Sequence, residues 1–256
     1  MTNTYLNIVI PMAGRGSRFA SAGYKLPKPL IPIHGIPMIR VVVGNIRPKC
    51  RHRFIFLCLR EHIEVNAIDR ILSEISPDSL LIPVDEITPG AACTVLLAED
   101  FIDNGNPMMI ANSDQWVDYD INDFLGAMQG DVDGLIMTMR ANDPKWSYVR
   151  TDDRGSVIEV VEKKVVSNEA TVGIYNFRRG RDYVRAARSM IAKDARVNGE
   201  FYVAPVYNEL IGEGKKVAIC NIGSDSKGMY GMGTPSDLDS FTMDPISFKA
   251  GEKARK

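Results

Sequence analysis

Leu6-Asn7-Ile8-Val9-Ile10-Pro11-Met12-Ala13-Gly14-Arg15-Gly16-Ser17-Arg18-Phe19 joins a short apolar run to a turn of small residues. The run Leu6 to Pro11 has strand length and does not alternate, so it reads as a strand buried on both faces. In the turn, Ala13, Gly14, Gly16 and Ser17 are small enough for backbone N–H groups to approach a ligand closely, which makes an anion cradle. No Gly-Lys-Ser/Thr comes after it, so this is not a Walker A loop, and Phe19 stands where a dinucleotide fingerprint has its third glycine. By itself the turn is equally a tight strand-to-helix connection.

Runs of the same kind recur at Arg53 to Leu59, Ser79 to Pro83, Pro107 to Ala111, Gly134 to Arg140, Val157 to Val161, Thr171 to Phe177 and Lys216 to Asn221. Between them lie segments with helical spacing: Met38 to Ile46, Glu61 to Ile75, Gly90 to Phe101, Ile121 to Met128, Arg179 to Ala192 and Val203 to Ile211. The alternation predicts an α/β fold, a mostly parallel central sheet with helices on both faces. Ligands of such sheets sit beyond the carboxyl ends of the strands, which directs attention to the loops after Ile10, Ile110 and Val161.

The chain has 256 residues, 45% hydrophobic and 25% charged, the composition of a globular protein. Residues 1–247 read as a single domain, and the polar, basic stretch 248–256 as a frayed tail. Thirty-one basic and thirty-two acidic residues leave a net charge of -1, so no global field draws the chain to nucleic acid. Cys50, Cys58, Cys93 and Cys220 are far apart, and three lie in apolar runs, which suits reduced thiols rather than bridges or zinc ligands. The N-terminus lacks a basic region, and Leu6 to Pro11 is too short for a signal or a membrane span, so a cytoplasmic protein without membrane contact is expected.

The glycine turn gains meaning from the stretch just downstream, Lys28-Pro29-Leu30-Ile31-Pro32-Ile33-His34-Gly35-Ile36-Pro37-Met38-Ile39. A glycine-rich loop, Arg18, Lys-Pro-Leu-x-Pro-Ile and Gly-x-Pro-Met-Ile in this order resemble the N-terminal signature of sugar-nucleotide pyrophosphorylases, nucleotidyltransferases with the Rossmann-like GT-A type fold. The resemblance implies that Arg18 and Lys28 contact the triphosphate of an NTP, and two fixed cations beside a backbone cradle suit the charge that develops as pyrophosphate leaves. Arg15 and Lys25 carry no such match.

After the run Pro107 to Ile110 the chain reads Ala111-Asn112-Ser113-Asp114-Gln115. By resemblance Asp114 binds the Mg²⁺, or Mn²⁺, that attends the α-phosphate; such hard ions take carboxylate and phosphate oxygens and need few protein ligands. Relatives often carry a second metal-binding aspartate before a Gly-Thr pair. Here Gly231 occupies that place, ahead of Gly233-Thr234, and Asp225 is the substitute candidate.

On the acceptor side, Val157 to Lys163 and Thr171-Val172-Gly173-Ile174-Tyr175 resemble the family's Glu-Lys-Pro and Gly-x-Tyr segments. They nominate Glu162, Lys163 and Gly173, with Lys163 on the acceptor phosphate and Lys164 in the usual proline position. Asn198-Gly199-Glu200-Phe201-Tyr202 resembles the stretch with an acidic residue near the sugar, which adds Glu200 and Tyr202. In Trp146-Ser147-Tyr148-Val149-Arg150, relatives commonly have glycine after tyrosine, so the bulkier Val149 implies a smaller or different acceptor. The stretch around Gly90 resembles the base-recognition segment, and likeness to short capsule-associated members favours CTP.

The resemblance implies transfer of a nucleoside monophosphate to a phosphorylated small-molecule acceptor, for surface polysaccharide precursors. A phosphomonoester is already a dianion near neutral pH, its second pKa being about 6, so no general base is needed. His34, His52 and His62 are scattered and form no nucleophile pattern. Two other readings are a glycosyltransferase of the same fold, against which Arg18 and Lys28 argue, and a nucleotide-binding regulator that has lost catalysis at Gly231. A homo-oligomer is compatible with the sequence.

Overall fold

The computed structural model describes residues 4–255. Its strands, in chain order, are β1 (Leu6–Met12), β2 (Pro32–Ile33), β3 (Ile36–Pro37), β4 (His52–Leu59), β5 (Leu80–Val84), β6 (Met108–Ala111) and β7 (Gln115–Val117). Next come β8 (Val132–Arg140), β9 (Ser147–Thr151), β10 (Val157–Glu162), β11 (Glu169–Phe177), β12 (Lys216–Asp225) and β13 (Gly228–Gly231).

Among the described residues one eleven-stranded sheet runs in the order β5-β4-β1-β6-β11-β8-β12-β13-β7, with the β9/β10 hairpin attached to β11. The pairs β4/β5, β1/β4, β1/β6, β8/β12 and β12/β13 are parallel, whereas β11 lies antiparallel between β6 and β8. The mostly parallel α/β sheet expected from the sequence is therefore present. All eight predicted strands form, each lying within or overlapping its predicted run.

Side-chain alternation feeds two cores. In β4, Phe54, Phe56 and Cys58 enter one, with the helices Met38–Ile46 and Ile68–Ile75; Ile55, Leu57 and Leu59 enter the other, with Ala91–Leu96, Gly180–Ala192 and Val206–Gly212. Burial on both faces explains why these strands read as unbroken apolar runs. Among the described residues no helix is long and apolar enough to cross a membrane.

Three expectations are corrected. The helix predicted over 61–75 is two helices, Arg60–Asn66 and Ile68–Ile75, broken at Ala67 with φ 49°; the break re-aims the second helix so that Ile68 and Leu72 are buried. The one predicted over 90–101 likewise divides into Ala91–Leu96 and Glu99–Ile102.

The predicted tail is the third: residues 246–254 form a helix, while residue 256 lies outside the described residues. Ser247, Ala250, Gly251 and Ala254 make its buried stripe. It packs on Met38–Ile46 at Gly44, where a Cβ would stand 2.9 Å from Ala254 Cα. Small residues permit that backbone approach, and a low content of large apolar side chains conceals it in the sequence. His34, at φ 48° in the β2–β3 turn, stacks on Phe248 at 4.3 Å.

Candidate active site

The parallel strands β1 and β6 deliver Ala13 and Ser113 to the same end of the sheet, where they border a cleft of about 260 Å³. Pro11, Met12, Gly14, Lys28, Thr88, Gly90 and Glu200 also line it. Gly16, at φ 60°, precedes the short helix Ser17–Ser21. A Cβ on Gly16 would stand 3.3 Å from Lys28 Cβ, so this glycine lets the loop lie against the lysine stem. Ser17 and Arg18 are exposed at the start of the helix.

Lys28 Nζ donates to Asp114 Oδ2 at 2.7 Å, with both side chains about a quarter exposed (23% and 24%). The Asp114 backbone carbonyl accepts from Met232 N–H at 2.8 Å, and a Cβ on Gly233 would stand 3.0 Å from Asp114 Oδ2. Gly233 thus leaves the carboxylate open on that side. Asp114 is the carboxylate that could hold a hard cation here, and Lys28 now occupies that carboxylate oxygen.

Asp225 is near the end of β12. It lines a cavity of about 130 Å³ with Gly231 and Asp237, its carboxylate 3.7 Å from Lys145 Nζ. The described residues contain no group of three or more His, Cys, Asp or Glu side chains suited to a metal ion.

Gly90 has φ 121°, and a Cβ there would lie 2.5 Å from both the N and O of Phe201. Phe201 N–H donates to Pro89 O and Ala92 N–H to Phe201 O, so two backbone bonds lock the segment 88–92 onto 200–202. The Thr88 and Thr94 hydroxyls are 2.6 Å apart beside them.

A second cavity of about 200 Å³ adjoins the cleft at Ala91 and is lined by Glu162, Gly173 and Tyr202, among others. Glu162 is paired in register with Ser147 across β9 and β10, and the Ser147 hydroxyl donates to its carboxylate. Burial raises the Glu162 carboxyl above the usual carboxylate range, against the opposing Ser147 hydrogen bond and Lys163 charge. Lys163, at φ 54°, places Nζ 3.6 Å from Glu162 Oε1 and 5.1 Å from the centre of the Tyr202 ring. Burial, then the charges of Glu200 and Glu162, push the Tyr202 hydroxyl up to about 12, while the Arg18 charge opposes them.

Glu200 lines the first cleft while Tyr202, two residues on, lines the second cavity, so this segment runs between the two. Val149, expected to shape this cavity, is buried on the same face of β9 but opposite Val160; Ser147, two residues earlier and opposite Glu162, lines the cavity. Tyr148 is buried with its hydroxyl on Asp143 O at 2.9 Å. Sequence reasoning missed Ser147, Trp146 and Asn112 as cavity residues; only their facing of Glu162 and Gly173 in the fold reveals them.

Glycine loop, lysine, aspartate and the adjoining cavity thus stand together beyond the carboxyl ends of β1 and β6. The chain matches the Nucleotidyl transferase family over residues 8–217 and belongs to that family. It is 23% identical over 175 residues to the bifunctional protein GlmU of Methanococcus aeolicus, covering 67% of this chain and 40% of that protein. The chain thus spans less than half the length of this curated relative. A nucleoside-diphosphate-sugar pyrophosphorylase from Vibrio cholerae RC9 superposes with TM-score 0.78 at 25% identity, over 93% of this chain and 100% of that one. The inositol-1-phosphate CTP transferase of T. maritima shares the fold at TM-score 0.75 and 13% identity, over 100% and 98% of the two chains.

Proposed function

We infer that the chain transfers a nucleoside monophosphate from an NTP to a sugar phosphate or other phosphomonoester, releasing pyrophosphate. The observation that carries this reading is the adjacency of two cavities: a backbone cradle with Lys28 on one side of Ala91, and Lys163 beside Glu162 on the other. The loop from Ala13 to Ser17, Arg18 and Lys28 hold the triphosphate, and the segment at Gly90 receives the base.

The acceptor phosphate, gripped by Lys163, attacks the α-phosphorus in line, and the bond to the β-phosphate oxygen breaks. Lys28 and Arg18 stabilise charge on the departing pyrophosphate. Mg²⁺ or Mn²⁺, held by Asp114, supplies further neutralisation of the α-phosphate when bound. Glu162, Gly173 and Tyr202 position the acceptor, and Glu200 stands where acceptor and nucleotide meet.

CTP is the favoured donor and a surface polysaccharide precursor, for capsule or lipopolysaccharide, the favoured product, both carried over from the likeness to short capsule-associated members. Incubation with each NTP, Mg²⁺ and a panel of phosphorylated acceptors, with pyrophosphate as the readout, tests the reading. Pyrophosphate released only when both substrates are present is the expected result; none in any combination overturns it.

A further inference from the structure

The opposite end of the sheet holds a cavity that nucleotidyl transfer does not use. Its volume is about 380 Å³, and Leu6, Pro107, Leu125, Met128, Asn176 and Arg178 line it, with Cys50 beside them. Leu6 opens β1, whose far end delivers Met12 to the nucleotide cleft, so the two cavities lie roughly 20 Å apart. A cavity of this size suits a small organic molecule.

Asn176 is only 3% exposed, yet its Oδ1 has no hydrogen-bond partner, and its Nδ2 points at Met128 Sδ, 3.1 Å away. A thioether is a weak acceptor. Leaving a buried carboxamide oxygen unpaired is costly, and a chain that keeps one obtains the missing donor from elsewhere. Here the carboxamide stands at a cavity wall, and what it lacks is an N–H or O–H.

Arg178 supplies the second handle. Phe177 enters the core on the other face of the sheet, so Asn176 and Arg178 share a face, and an extended chain sets them roughly 7 Å apart. Arg178 Nε donates to Val132 O at 2.7 Å and Nη2 to Gly130 O at 2.8 Å. Both partners are neutral carbonyls. Lys216 first, and Arg178 more weakly, hold the Asp131 carboxyl below its usual range, but it is Lys216 that bonds that carboxylate. The guanidinium therefore keeps charge for an anion. Leu6, Pro107, Leu125 and Met128 are the apolar walls, and a methionine packs well against an aromatic ring.

We propose that this cavity binds a small aromatic carboxylate that carries an N–H or O–H donor. The donor goes to Asn176 Oδ1, the carboxylate to Arg178, and the ring lies among the apolar side chains. The site is separate from the nucleotide cleft and does not rest on the transfer reading, so such a ligand and an NTP bind together.

Indole-3-acetate is the probe, titrated by calorimetry into the full chain, beside 1-methylindole-3-acetate, which lacks the N–H, and 3-methylindole, which lacks the carboxylate. The probe should bind with Kd below about 1 mM, and as well with NTP and Mg²⁺ present as without them. Each analogue should bind about tenfold more weakly, and so should the probe to Asn176→Leu and to Arg178→Gln, with circular dichroism checking the fold of both variants. Cys50 is exposed, whereas Cys58 is buried and Cys93 and Cys220 are half-buried. Saturating probe should therefore slow alkylation of Cys50 by iodoacetamide several-fold, read by peptide mass spectrometry, and leave Cys93 and Cys220 unaffected. No saturable binding, equal affinity for the three compounds, or alkylation of Cys50 at its free rate under saturation overturns the site.

Discussion

Lys28 Nζ and Asp114 Oδ2 meet at 2.7 Å across 86 residues of sequence, joining the turn after the glycine loop to the loop after β6. The pair is partly exposed, so its worth lies in where it holds two charges rather than in stability. In the structure each neutralises the other; on the proposed function the two would take separate tasks once nucleotide binds.

Removing either charge should therefore damage chemistry and spare the fold. Lys28→Met and Asp114→Asn are each expected to cut kcat by roughly 10²–10³-fold, the scale of a lost transition-state contact. Pyrophosphate release measures the loss, and circular dichroism should show an unaltered spectrum. Near wild-type kcat in either variant removes that residue from the site.

Chelation of divalent ions should abolish turnover and leave the Tm of the nucleotide-free protein unchanged, because Lys28 already pairs Asp114 there. Thermal scans with and without chelator check this. A fall in Tm on chelation would place the metal in the fold instead of the reaction.

Glu162 should make stability depend on pH. Its folded pKa is raised by burial, so the folded chain keeps the proton to higher pH than the unfolded one. The associated stability is complete below the unfolded value of about 4.3 and is lost as pH rises through the folded value. Glu162→Gln does not titrate, so its Tm should gain on wild type as pH rises above about 4, and the gain should vanish at the acid end. A difference independent of pH would contradict the raised pKa.

Gly90→Ala places a Cβ 2.5 Å from the Phe201 backbone at φ 121°. Backbone strain alone contributes about 1–3 kcal/mol, and the clash adds to it. The urea midpoint should fall, and nucleotide and acceptor KM should both rise, because this glycine sits where the two segments are bonded together.

Truncation after Pro245 removes the terminal helix and exposes its contact with Gly44. A Tm decrease of several degrees is expected, about 2–4 °C for each 1 kcal/mol in a chain of this size. An unchanged Tm would restore the view of this stretch as a tail.

The sequence by itself determined the sheet and the donor half of the site. Strands buried on both faces must be continuously apolar, so β1, β4 and β6 are visible locally; Gly14, Gly16 and Lys28 are close in sequence, and their spacing carries the cradle. What only the tertiary structure decided depends on pairing between distant segments. Insertion of β11 antiparallel between β6 and β8 sets Gly173 beneath Asn112, and the β9/β10 register turns Ser147 rather than Val149 onto Glu162. Asp225, a metal candidate by proximity in sequence, is set by the fold 3.7 Å from Lys145 Nζ. Local periodicity records how deeply a residue is buried; which residue it meets there is set by register and topology.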